Sequence, residues 1–85
     1  MPITKVKVYP NPGDGKFSLS FTANTKGDVV ISIADAKGAE VYNKTVENFS
    51  GEYSNEINIS GEGKGTYYLK ITQGDDSITK KILVD

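Results

Sequence analysis

The stretch Phe17-Ser18-Leu19-Ser20-Phe21-Thr22 alternates apolar side chains with small hydroxyl-bearing ones. Successive side chains of a β-strand point to opposite faces of a sheet, so this stretch predicts a strand with one buried and one solvated face. The same alternation recurs in other short runs that are rich in β-branched or aromatic residues: Val6/Val8, Val29/Ile31/Ile33, Ile57/Ile59, Tyr67/Leu69/Ile71 and Ile78/Ile82/Val84. One-sided burial of this kind is typical of antiparallel sheets.

Turn-forming residues separate these runs at intervals of roughly 8–12 residues, which is typical of β-sandwiches. We place the turns and loops at Pro10–Gly15, Asn24–Gly27, Asp35–Gly38, Phe49–Gly51, Ser60–Gly65 and Gly74–Asp76. In the segment Ala39–Tyr53, the apolar residues do not all fall on the same face of a strand. This pattern indicates a strand covered on both faces or one that contains a bulge. These boundaries predict an all-β fold of about seven strands without helices, arranged as an immunoglobulin-like antiparallel β-sandwich.

Composition excludes several classes of function. The chain has 85 residues, enough for one domain, and contains neither cysteine nor histidine. Disulfides, thiolate metal sites and the commonest general base are therefore absent, and we expect no catalytic residue and no cofactor. The net charge of −1 comes without a basic face, which argues against nucleic-acid binding. No stretch approaches the roughly 20 apolar residues needed for membrane insertion.

Three motifs in fixed order carry a family resemblance. They are Val8-Tyr9-Pro10-Asn11-Pro12 with Gly15-Lys16-Phe17, then Gly65-Thr66-Tyr67-Tyr68-Leu69-Lys70-Ile71, and finally Lys80-Lys81-Ile82-Leu83-Val84. Between them, Val29–Gly38 follows the pattern of a strand, an acidic residue and a turn glycine. Over nearly the whole chain this arrangement resembles the C-terminal sorting domain of the bacterial type IX secretion system. Asp85 departs from the pattern, because many members of that family end in lysine or arginine.

The resemblance implies a secretion signal and not an enzyme. Sorting domains of this kind follow an N-terminal cargo domain in secreted proteins of Bacteroidetes, so residues 1–85 are expected to be the single C-terminal domain of a longer protein. The implied route leads through the periplasm and the type IX outer-membrane translocon to the outer-membrane surface or the extracellular space. A sortase-like cysteine protease commonly removes the domain and attaches the cargo to the cell surface.

The resemblance also marks candidate recognition residues: Pro10, Asn11, Pro12, Gly65, Tyr67, Leu69, Lys80, Lys81, Ile82 and Val84. Each has a structural interpretation beside the functional one. Gly65 is expected to supply a positive-φ position, and the Tyr67 hydroxyl to reach a loop backbone. The prolines can simply form a rigid turn. The final strand is expected at a sheet edge, where it can accept a partner strand or form a dimer in isolation, with the lysine pair as contact or as protection.

Three other interpretations remain open at this stage. A carbohydrate-binding or structural β-sandwich module of an extracellular hydrolase is the alternative function, with sugar stacking by aromatic side chains: Tyr9, Tyr42, Phe49, Tyr53 and Tyr68. Calcium binding by Asp14, Asp75 and Asp76 is a weaker hypothesis, since turn acids usually only form turns. Asp76-Ser77-Ile78 resembles an O-glycosylation acceptor of Bacteroidetes.

Overall fold

The computed structural model describes residues 3–11 and 13–85. It contains five strands, β1 (Ile3–Tyr9), β2 (Lys16–Asp35), β3 (Glu40–Asn58), β4 (Gly65–Gln73) and β5 (Asp76–Val84). The one helical element in the described residues is a short 3-10 turn, Ser60–Glu62, and no helix there is long and apolar enough to cross a bilayer. The all-β prediction is therefore confirmed.

All strand pairs within the sheet are antiparallel, and the sheet order is β1-β2-β4-β5 with β3 also paired to β2. The long β2 is the centre of the sheet. Its first half lies between β1 and the second half of β3, and its second half lies between β4 and the first half of β3. The strands form one curled sheet, in which a single long strand connects the two halves that we had expected to be separate layers.

The prediction of about seven strands is wrong, because two expected turns are irregularities inside continuous strands. β2 runs through Asn24–Gly27 and β3 runs through Phe49–Gly51, and these two segments lie opposite each other with shifts of register. Asn48 and Gly51 have φ values of 49° and 99°. Isolated left-handed residues of this kind bend a strand and add local twist without reversing the chain. Each pair of expected strands is therefore one bent strand.

One side chain from β4 stabilises both irregular segments. Gln73 is buried, and its amide nitrogen lies 2.9 Å from the carbonyl oxygen of Thr25, 3.3 Å from that of Gly27 and 3.4 Å from that of Phe49. Its amide oxygen accepts a hydrogen bond from the Thr25 hydroxyl at 3.2 Å. Backbone carbonyl groups at the two irregular segments thus share a side-chain donor, which lowers the penalty of burying them.

The core is built from one face of each strand, as the alternation predicts. Its buried apolar members are Ile3, Phe17, Leu19, Phe21, Ala23, Val29, Ile31, Ile33, Ile57, Ile59, Tyr67, Leu69, Ile71, Ile82 and Val84. In β2, every second residue from Phe17 to Ala23 is buried, and the same alternation resumes at Val29 after the bulge. The bulge therefore keeps both halves of the strand directed at one core.

Four of the six predicted turns and loops are confirmed, since they separate consecutive strands, and two of these four are tight turns. At the first, the Asp35 carboxylate accepts hydrogen bonds from the backbone N–H groups of Lys37 and Ala39, both at 2.9 Å, and Gly38 takes φ +90°. This is the expected Asx-type turn, in which a short acid bonds to the backbone that follows it. At the second, residues 74–75 connect β4 and β5 in a tight hairpin.

Candidate recognition site at the C-terminal strand

The turn that follows β1 binds the outer edge of β5 near its end. The Asn11 side-chain amide donates a hydrogen bond to the carbonyl oxygen of Lys81 at 2.9 Å and accepts one from the Leu83 N–H at 3.0 Å. A carboxamide carries one donor and one acceptor side by side, as a peptide group does. The Asn11 side chain therefore takes the place of a neighbouring strand along this part of β5.

The backbone of Gly13 extends the same contact. Its N–H donates to the Leu83 carbonyl oxygen at 3.1 Å, and its carbonyl oxygen accepts from the Asp85 N–H at 2.9 Å. Gly13 and Val84 form an isolated parallel bridge. Together Asn11 and Gly13 cover the outer edge of β5 from Lys81 to Asp85, so the motifs from the two ends of the sequence form one site.

On the other side of this turn, the backbone of Gly15 lies very close to the backbone of Ser60. Gly15 is buried with φ +98°, and its carbonyl oxygen accepts a hydrogen bond from the Ile59 N–H at 2.8 Å. A Cβ atom at position 15 would lie 2.7 Å from the Cα atom of Ser60, closer than such atoms can come without displacing the backbone. Glycine is therefore required at this position for two reasons, conformation and space.

Gly65 and Tyr67 have the structural roles expected for them. Gly65 opens β4 with φ +148° and pairs with Val84. The Tyr67 ring is buried, and its hydroxyl oxygen lies 2.7 Å from the carbonyl oxygen of Gly63 and 3.0 Å from that of Glu62. The tyrosine thereby attaches the loop after the 3-10 turn to the core, close to the site.

Three further candidates, Leu69, Ile82 and Val84, have buried side chains. They hold β4 and β5 on the core, and none of them presents its side chain to a partner at the surface. Pro10 is exposed next to Asn11, and Pro12 lies outside the described residues. The candidates thus divide into a buried group that fixes the strands and an exposed group on the turn and on β5.

The lysine pair divides between the two faces of the sheet. Lys81 lies opposite Tyr68, and both side chains are exposed on the outer face. Lys80 lies opposite the buried Leu69, on the same face as Ile82, yet it remains exposed because it lies beside the cleft between β5 and β1. Consecutive residues of a strand point in opposite directions, so the two lysine side chains leave β5 toward different faces of the sheet.

The aromatic side chains proposed for sugar stacking do not form an exposed platform. Phe49 and Tyr53 pack on Phe21 inside the fold, with ring centroids 4.9 Å apart for the stacked Phe21–Tyr53 pair and 5.7 Å apart for the edge-to-face Phe49–Tyr53 pair. Of the five candidates, only Tyr9 and Tyr68 are exposed, by 57% and 43%. These contacts weaken the carbohydrate-binding hypothesis.

The acidic residues considered for calcium are not gathered into a site. Within residues 3–11 and 13–85, no group of three or more histidine, cysteine, aspartate or glutamate residues could hold a metal ion. The Asp14 carboxylate instead accepts a hydrogen bond from the Lys16 N–H at 3.0 Å. Ser77, in the possible glycosylation motif, is exposed near the start of β5 and its modification stays a prediction.

Comparison with known protein families identifies the family of this chain. A family model described as the secretion system C-terminal sorting domain matches residues 7–85. The chain belongs to this family. No curated protein matches it with significant similarity. The matched residues include both the Asn11 turn and the whole of β5.

Membership in the sorting-domain family indicates the function of the chain. The chain is a C-terminal sorting signal for type IX secretion, a system of Bacteroidetes. Sorting domains of this family interact with the type IX machinery, follow an N-terminal cargo and direct export to the cell surface or the extracellular space. The family is not an enzyme family.

Proposed function

We propose that residues 1–85 form a single sorting domain whose recognition element is the end of β5, held in place by Asn11 and Gly13. The observation that carries this proposal is the pair of hydrogen bonds from the Asn11 side chain to Lys81 and Leu83. A strand that is already ordered loses less conformational entropy on binding than a free tail, so more of the contact energy appears as affinity.

The proposal divides the candidate residues by role. Lys81 and Leu83 point outward from β5, and Tyr68 lies beside them on β4, so these exposed side chains form the contact surface. Asn11 and Pro10 fix the position of that surface. The buried candidates hold the strands that carry it, and Lys80 belongs to a separate cleft on the opposite face.

In the proposed route, the domain passes through the periplasm and is recognised there by the type IX translocon. A sortase-like protease of the system then removes the domain, and the cargo is attached to the outer-membrane surface or released. The sorting domain is the substrate in this step and contributes no catalytic group. Its membership in the sorting-domain family supports the route.

A secretion assay tests the function. A signal peptide, a folded fluorescent reporter and residues 1–85 are joined in that order and expressed in a host with a working type IX system and in a translocon-deficient strain. We expect reporter on the surface or in the medium of the first strain alone. Reporter retained in the periplasm of both strains, with the fusion folded and intact, would refute the proposed function.

Point variants test the recognition element better than a truncation does. Removing residues 77–85 would also remove the buried Ile82 and Val84, so loss of export could reflect unfolding. Lys81→Glu changes only an exposed side chain, and Lys37→Glu in the exposed turn after β2 is a matched control. We expect reduced export for Lys81→Glu alone, with both variants as stable as the parent. Equal export of the two variants would exclude Lys81 from the contact surface.

A further inference from the structure

The outer face of the sheet carries a polar groove where the first half of β2 lies between β1 and β3. Its floor is a row of small side chains on β2, Ser18, Ser20 and Thr22, which alternate with buried residues and are themselves half-buried. Two open depressions of about 450 and 260 Å³ follow one another along this row. The exposed Tyr9 and Lys16 bound the row at the end nearer the turn after β1.

The two walls of the groove carry opposite charges. The wall on β1 contains Lys5 and Lys7, and the wall on β3 contains Glu52 and Glu56, all of them exposed. Neighbouring strands are about 4.8 Å apart, so the backbones of β1 and β3 are about 10 Å apart across β2. Within residues 3–11 and 13–85 no ion pair joins the walls, so both sets of charges are without a charged partner.

The hydroxyl groups of the floor have no partner either. Ser18, Ser20 and Thr22 make no side-chain hydrogen bond with any residue that the structure describes. Each hydroxyl can donate one hydrogen bond and accept others. Alternate residues of a strand recur after about 6.6 Å, and an extended peptide laid along β2 directs its N–H and C=O groups to the floor with the same period. The floor therefore matches the backbone of an extended chain.

We propose that the groove binds an extended segment of a second protein in which acidic and basic residues alternate. The segment lies along β2, with its acidic side chains directed at Lys5 and Lys7 and its basic side chains directed at Glu52 and Glu56. Successive side chains of an extended chain point to opposite sides, so alternation of the two charges matches the two walls. The groove and the contact surface on β4 and β5 lie on different halves of the sheet, so the inference goes beyond the proposed function and does not depend on it.

A solely solubilising role for the walls makes a different prediction. Exposed charges keep a protein soluble and need no partner for that role. The order of the charges in a peptide would then make no difference to binding. The proposal requires that the order matters, because only an alternating peptide directs each sign of charge to one side.

The binding test compares two octapeptides of the same composition. One alternates glutamate with lysine, and the other has all its glutamates before its lysines. Both are too short to form a stable helix. In fluorescence anisotropy we expect the purified chain to bind the alternating peptide at least about tenfold more tightly, with an affinity that falls as salt rises. Equal affinity for the two peptides, or no binding of the alternating one, would overturn the proposal.

Exchange of the two walls gives a sharper test than loss of one. Lys5→Glu/Lys7→Glu should weaken binding of the alternating peptide at least about tenfold. Adding Glu52→Lys/Glu56→Lys to that variant exchanges the walls and returns the net charge to −1. We expect this exchange to restore binding, because the alternating peptide can turn over about its long axis. A folded exchange variant that does not regain binding would contradict the proposal.

A matched variant separates the groove from the total charge. Lys37→Glu/Lys64→Glu changes two exposed lysines outside the groove, gives the same net charge as Lys5→Glu/Lys7→Glu and should bind as the parent does. Equal weakening in these two variants would overturn the proposal. If circular dichroism shows that Lys5→Glu/Lys7→Glu does not fold, Lys5→Gln/Lys7→Gln is used in its place, because it removes the charges without introducing acids.

The floor is tested by removing one hydroxyl group. Ser20→Ala should weaken binding about 2- to 10-fold, the effect of losing one hydrogen bond. Ser32→Ala is the control, because Ser32 is equally half-buried on the same strand and the same face but lies outside the groove. Equal binding by the two variants would overturn the placement of the segment on the floor.

A crosslink in cells identifies the segment. In the reporter fusion, a photo-crosslinking residue replaces Ser54 in the β3 wall, or Thr45, which is exposed on the other half of the same strand. We expect an adduct with a second protein from position 54 only, and mass spectrometry of the adduct should place the crosslink in a segment of alternating acidic and basic residues. An adduct with a second copy of the chain, a segment without that alternation, or no adduct would overturn the proposal. Export of the fusion tests the proposed function separately.

Discussion

Replacing Asn11 by alanine removes the side chain that covers the edge of β5. The change eliminates the donor to the Lys81 carbonyl oxygen at 2.9 Å and the acceptor for the Leu83 N–H at 3.0 Å. An intramolecular hydrogen bond contributes about 0.5–1.5 kcal/mol net. Because Asn11 is exposed, water can partly replace both bonds, and we expect the free energy of unfolding to fall by about 1–2 kcal/mol.

Two measurements follow from that magnitude. For a domain of this size, 1–2 kcal/mol corresponds to a decrease in Tm of roughly 4–16 °C, measured by circular dichroism. Amide hydrogen exchange gives a local test. The Leu83 N–H bonds to Asn11 and should lose its protection in the variant, whereas the Ile82 N–H points toward β4 and should exchange faster by at most about 5–30-fold.

Two control variants isolate the cause. Asn43 is exposed on β3, and its side chain makes no hydrogen bond with any described residue, so Asn43→Ala should leave Tm and Leu83 exchange unchanged. Asn11→Asp retains an acceptor for Leu83 but places an oxygen against the Lys81 carbonyl, so it should lower Tm while keeping the Leu83 amide protected. If Leu83 in Asn11→Ala stays as protected as in the parent, Asn11 does not hold the end of β5 and the reasoning is wrong.

Three further predictions concern residues that support the site. Gln73→Leu should cost about 1–3 kcal/mol in urea unfolding, because three backbone carbonyl groups lose their donor. Gly15→Ala should destabilise the chain by at least about 1–3 kcal/mol more than Gly38→Ala in thermal unfolding, since both positions have positive φ but only the first places its Cβ against Ser60. Tyr67→Phe should cost about 0.5–1.5 kcal/mol by the same method and leave export of the reporter unchanged, since the ring is retained.

The buried face of each strand could be predicted, because the alternation of apolar and polar residues that reveals it is local in the sequence. In β2, β4 and β5, alternation along the sequence assigns the buried residues correctly on both sides of each turn. The Asp35–Gly38 turn was predictable for the same reason, because the aspartate bonds to a backbone only two to four residues away. Lys80 interrupts the apolar face of β5, and its position beside the cleft between β1 and β5 accounts for its exposure.

The number of strands was not predictable, because composition at a bulge resembles composition at a turn. Asn24–Gly27 has the residues of a chain reversal, yet it continues β2 because its backbone finds partners outside the local sequence. Gln73 is one of these partners, and it lies 48 residues from Thr25. A residue-by-residue pattern cannot detect that a distant amide will satisfy a displaced backbone, so tertiary contacts decide the outcome.

The covering of β5 was missed for a related reason. Pro10-Asn11-Pro12 was interpreted as a rigid turn or a recognition epitope, whereas Asn11 bonds to a strand 70 and 72 residues away. One sequence signal was available, namely an amide side chain between two prolines beside a glycine. It indicates a polar group held outside a regular ladder, but it does not reveal the strand to which that group binds.

The hydrogen bonds between the Asn11–Gly13 turn and the end of β5 explain why a sorting signal includes both ends of the chain. On one side the end of β5 bonds to β4, where Gly65 pairs with Val84, and on the other side it bonds to Asn11 and Gly13. Neither set of bonds exists in an unfolded chain, so the outward direction of Lys81 and Leu83 depends on complete folding. We therefore expect export to depend on the order of this strand as well as on its residues. Asn11→Ala tests that dependence, because it leaves every side chain of β5 in place.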